Sequence, residues 1–112
     1  MSDQLVSNGK VSHPRFTAGR VRLAVAFQLE QIDEWGDVVA EEQALSEDVG
    51  LDGAHLRSRR SFDRGTLLTV REPGGAYEAT ARVVESDALP DGARRLDVLF
   101  LGQGPSHLLQ AG

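Results

Sequence analysis

The chain has 112 residues, carries a formal net charge of −5 and contains no cysteine. That length suits one domain with its own core. The absent thiols exclude a disulfide framework, a thiolate metal site and a cysteine nucleophile, and the acidic balance argues against bulk nucleic-acid binding, which rests on many phosphate contacts. Eleven of the twelve basic residues are arginine, and none lies between Arg22 and Arg57. That interval holds Glu30, Asp33, Glu34, Asp37, Glu41, Glu42, Glu47, Asp48 and Asp52. The start "MSDQLVSNGK" lacks the apolar stretch of a signal peptide, and no apolar run approaches membrane-spanning length, so the expected compartment is the cytoplasm.

Residues 1–14 are polar and aperiodic, with Gly9 and Pro14, and read as a flexible arm. From Arg20 to Glu30 the apolar residues Val21, Leu23, Val25, Phe27 and Leu29 alternate, which predicts one half-buried strand. "QIDEWGD" carries turn chemistry around Gly36, and "VVAEEQAL" is the returning strand. The run "DVGLDG" at 48–53 is expected to turn the chain into a short strand, "AHLRS". "RRSFDRG" is a polar loop, "TLLTVRE" a strand and "PGG" a turn. "AYEATARVVES" and "RRLDVLFL" alternate again, separated by the loop "DALPDGA". After Gly102, Gly104 and Pro105, Ser106 could open one helical turn through "HLLQA".

About six short strands with turn signals between them predict an all-β domain over residues 15–102, with a tail or short helix at 103–112. Closing so small a sheet removes its edges, so a six-stranded antiparallel barrel is expected. Its core should be mainly Val, Leu and Ala, because aromatics are few.

Catalytic signatures are missing. His13, His55 and His107 are isolated in sequence and have no helical partner, so no HExxH-type metal site exists. No nucleophile-elbow motif is present. The carboxylates of "DEWGDVVAEE" lack the spacing and closing Glu of a calcium loop. We therefore expect neither an enzyme nor a metal protein, and no cofactor.

The order of segments is the more specific signal. "HPRF" precedes an alternating "VRLAVAF" strand; "EDVGLDGAHL", "FDRGTLLTV", "YEATARVVES" and "RRLDVLF" follow. Over residues 10–102 this order resembles the PilZ domain, the bacterial receptor module for cyclic di-GMP. The resemblance implies a PilZ-like split barrel with two ligand motifs. One is Arg-x-x-x-Arg in the arm, gripping phosphate and stacking on guanine. The other is Asp/Asn-x-Ser-x-x-Gly after the second strand, bonding guanine edges. The second falls on Asp48, Gly50 and Gly53, with Gly50 where Ser belongs. In the arm, either Val11 and Arg15 or Arg15 and Arg20 take the paired positions, the second pair one residue too far apart. The missing hydroxyl is worth about 0.5–1.5 kcal/mol and a missing arginine–phosphate contact about 1.5–3 kcal/mol.

Two readings follow from the resemblance. One is a cyclic di-GMP receptor of weakened affinity, with Arg15, Arg20, Asp48, Gly50 and Gly53 at the ligand, passing its signal to a partner protein. The other is a degenerate PilZ adaptor that binds protein without nucleotide, in motility, type IV pilus assembly or the polysaccharide control of biofilms. Its acidic stretch, residues 30–52, would steer a basic partner. An unrelated OB-like barrel that binds nucleic acid is disfavoured by the charge and by the few aromatics.

Overall fold

The structure is a computed structural model, and it describes residues 19–109. The expected arm at 1–14, with Val11, and Arg15 lie outside the described residues, as does the end of "HLLQA".

Seven strands run in order: β1 (Val21–Arg22), β2 (Ala26–Ile32), β3 (Val38–Val49), β4 (Gly53–Ser58), β5 (Leu67–Arg71), β6 (Glu78–Ala88) and β7 (Arg94–Phe100). One helical turn, α1 (Ser106–Leu109), follows. Every strand pairing is antiparallel. The order β3-β2-β5-β6-β7-β4 closes through β4 back onto β3, while β1 pairs with the end of β3 outside the ring. The fold is therefore the six-stranded antiparallel barrel that the alternation predicts, plus one short outer strand. Closure leaves no edge among the six.

The inward positions are those the period assigns. Phe27 and Leu29 on β2, Leu56 on β4, Leu68 and Val70 on β5, Ala81 and Val83 on β6, and Leu96, Val98 and Phe100 on β7 are buried in one core. Val, Leu and Ala do dominate it, with three phenylalanines. One of these, Phe62, comes from "RRSFDRG", which the sequence marks only as a polar loop. Leu108 and Leu109 of α1 pack against the same core. Tyr77 lies edge-on to Phe100, with ring centroids 5.9 Å apart, and its hydroxyl donates to the Gln103 carbonyl at 2.9 Å. Burial pushes the Tyr77 phenol up to about 12.

Two expectations about strand boundaries are corrected. The segment read as one strand, Arg20 to Glu30, is interrupted at Leu23–Val25. Ser46, only 3% exposed, reaches across from β3. Its hydroxyl accepts from Val25 N at 2.9 Å and donates to the Leu23 carbonyl, taking over groups that a ladder would have used. The second correction concerns "DVGLDG". β3 continues through Asp48 and Val49, so the turn is confined to Gly50–Asp52 and closed by Gly50 N donating to Gly53 O at 2.8 Å. A register shift between Ser46 and Asp48 marks a bulge at Glu47. A bulge inserts a residue and re-aims its neighbours. Glu47 and Asp48 are both half-buried, between the buried Ser46 and Val49.

Candidate functional site

Arg20 is where the chain enters the described structure, next to Gly19 at φ +73°. It does not reach into solvent. Its side chain is 2% exposed and lies over the outer face of the barrel among Asp48, Asp52 and Asp97. Nη1 is 3.4 Å from Asp48 Oδ1 and 3.7 Å from Asp97 Oδ1, and Nε donates to Asp52 Oδ1 at 3.3 Å. A buried charge persists only when paired in this way.

Strand register builds the rest. Arg22 sits opposite Asp48, Asp48 opposite His55, and His55 opposite Asp97, on β1, β3, β4 and β7 in turn. Asp48 Oδ1 accepts from the His55 backbone N at 3.2 Å. His55 Nδ1 is 2.9 Å from Asp48 Oδ2 and 3.2 Å from Arg20 Nη1. A guanidinium only donates, so the second contact needs a lone pair on Nδ1 and the first a proton there. The two belong to alternative tautomers.

The glycines answer to Arg20. Neither Gly50 nor Gly53 has a positive φ, so backbone freedom does not explain them. A Cβ on Gly50 would lie 2.7 Å from Arg20 Cγ and 3.1 Å from Asp52 Oδ1. A Cβ on Gly53 would lie 2.2 Å from the Val98 carbonyl oxygen and 2.6 Å from Arg20 Nη2. Both positions are bare because the arginine and strand β7 pass directly over them. The serine of the PilZ pattern has no room at position 50 while Arg20 is seated.

Beside this cluster lies an open cleft of about 670 Å3, lined by Arg22, Ala24, Glu47, Asp48, His55 and Arg95 among others. Its size falls in the range of small-molecule sites. Arg95 Nε donates to Glu47 Oε1 at 2.7 Å, and that bond holds the Arg95 guanidinium above its ordinary pKa. Around cleft and cluster together, the guanidiniums of Arg20, Arg22 and Arg95 face the carboxylates of Glu47, Asp48, Asp52 and Asp97. The field is mixed rather than positive.

Of the residues singled out in the sequence, Arg20, Asp48, Gly50 and Gly53 converge on one spot, and Arg15 lies outside the described residues. Nothing in the sequence marks His55, Asp97 or Arg95 as members of this site. His55 is isolated in sequence, and Asp97 occupies an ordinary outward position of "RRLDVLF". Only the cross-strand register brings them to Asp48. No group of His, Asp and Glu among the described residues is placed to hold a metal ion. No helix among them is long and apolar enough to cross a membrane. Neither a known family model nor a curated protein matches the chain.

Proposed function

We propose that the chain is a PilZ-like signalling module that takes cyclic di-GMP weakly and acts on a partner protein in the bacterial cytoplasm. The observation that carries this reading is the convergence of Arg20, Asp48, Gly50 and Gly53 beside the 670 Å3 cleft. Arg20 lies far from the other three in sequence, and the PilZ pattern names them together.

The same convergence sets the affinity low. A phosphate approaching Arg20 competes with three carboxylates already paired to it. The hydroxyl expected at position 50 is absent. Together the missing hydroxyl and the committed arginine weaken binding by about 30- to 2,000-fold relative to an intact motif. Titration calorimetry of the full chain with cyclic di-GMP should give a dissociation constant of about 10 µM or weaker, and Asp48→Ala should abolish the heat. Nanomolar binding would overturn the weak-receptor reading.

The carboxylate cage also favours the second reading, an adaptor that works through protein contacts without nucleotide. Gly50→Ser separates the two. The new Cβ displaces Arg20, which should cost about 1–2 kcal/mol of stability in either case. A weak receptor regains a hydroxyl and a mobile arginine, so its affinity rises by up to about tenfold. An adaptor shows the same stability loss and no nucleotide heat.

A further inference from the structure

Trp35, the chain's single tryptophan, stands at the tip of the β2–β3 hairpin and is 77% exposed. Tryptophan at that exposure is unusual, and the tip is not a loose loop. Asp33 Oδ1 accepts from Trp35 N at 2.9 Å and from Asp37 N at 2.8 Å. Asp33 N donates to Asp37 O, Gly36 N donates to Asp33 O, and Gly36 takes φ +87°. The indole is presented on a fixed turn, so little entropy is lost when something covers it. Val38 and Val39, 47% and 56% exposed, extend the apolar surface below it. Glu34 and Asp37 flank it, and among the described residues neither carboxylate forms an ion pair.

The complementary surface is on the same molecule. A cleft of about 330 Å3 lies where β2, β3 and β4 meet, lined by Ala26, Ala44, Leu45 and Ala93 together with Arg57, Arg59 and Asp91. Leu45 is 48% exposed there, another large apolar side chain left uncovered. Arg57 is paired with Asp91 and Glu47, but the Arg59 guanidinium has no partner among the described residues. An acid-flanked indole thus faces a partly apolar cleft in which Arg57 is already balanced by Asp91 and the Arg59 guanidinium is left to meet a carboxylate.

The tip cannot fill its own cleft. Leu45 and Val38 are on the same strand, and seven residues of β-strand span roughly 23 Å. We propose that Trp35 of one copy docks into the Ala26/Leu45/Arg59 cleft of a second copy, with Glu34 and Asp37 meeting Arg59. Both copies have the same tip-to-cleft separation, so hairpins laid antiparallel satisfy both contacts about a two-fold axis. This association is independent of the nucleotide reading.

The single tryptophan reports it directly. Emission and sedimentation velocity of the full chain are followed from about 1 µM to about 1 mM, the range in which small interfaces associate. The emission should move to shorter wavelength as the mass doubles, and added salt should shift both to higher concentration. Trp35→Ser and Arg59→Glu should each weaken association by at least about tenfold. Glu34→Arg combined with Arg59→Glu should recover part of it, an outcome a merely misfolded variant cannot give. A monomer throughout with unchanging emission overturns the proposal. So does association that survives Trp35→Ser, and so does a monomer whose tryptophan is shielded from a soluble quencher.

Discussion

Two ends of β3 invert the usual rule of what lies inside. Near Val49 an arginine side chain is 2% exposed. At the hairpin before Val38 a tryptophan is 77% exposed. Arginine is seldom buried and an indole seldom left in water. At the first end the fold compensates internally, with three carboxylates, a histidine and two glycines arranged around one guanidinium. At the second it compensates only the backbone, through Asp33, and leaves the side chain to whatever binds it. The first end therefore belongs to stability and site chemistry, the second to association.

This contrast makes graded predictions. The largest effect is expected for Gly53→Ala. Its Cβ would lie 2.2 Å from backbone of β7, which a side-chain rotation cannot relieve. A loss of about 3 kcal/mol or more should appear in denaturant unfolding; a loss under about 1 kcal/mol would show that β4 and β7 can part cheaply there. Arg20→Ala comes next. It leaves Asp48, Asp52 and Asp97 facing one another without their counter-charge. A loss of about 3 kcal/mol is expected. Denaturant unfolding should show it, and a loss under about 1 kcal/mol would mean that the three carboxylates do not depend on the guanidinium. The smallest effect is expected for Trp35→Ser on the dilute protein, within about 0.5 kcal/mol of the parent. A larger change would tie the tip to the fold and break the contrast.

Part of this is legible in the residues alone. Alternation locates β2, β4, β5, β6 and β7 and their inward faces, because each strand packs one side on a single core. It fails at Leu23–Val25, where the buried Ser46 hydroxyl takes the Val25 N–H and the Leu23 carbonyl, while Leu23 N and Val25 O stay bonded to the β3 backbone. It also places Asp48 in a turn, because the bulge that lengthens β3 has no sequence signature as strong as a glycine. The PilZ-like spacing brings Asp48, Gly50 and Gly53 to notice. It carries no sign that Arg20 is buried against them. Trp35 reads only as part of a turn; its exposure follows from how far the hairpin extends past its neighbours.

The sequence by itself determined the period-two strands, the turn chemistry, the cysteine-free composition and the separation of acidic from basic segments. Those are local properties, written in residues a few positions apart. Only the tertiary structure decided what Gly50 and Gly53 are for. The residue that needs their missing side chains, Arg20, is about 30 positions away, and strand β7 more than 40. Barrel closure set those neighbours side by side, so contacts between strands, not the motif, turned "DVGLDG" into the seat of a buried arginine.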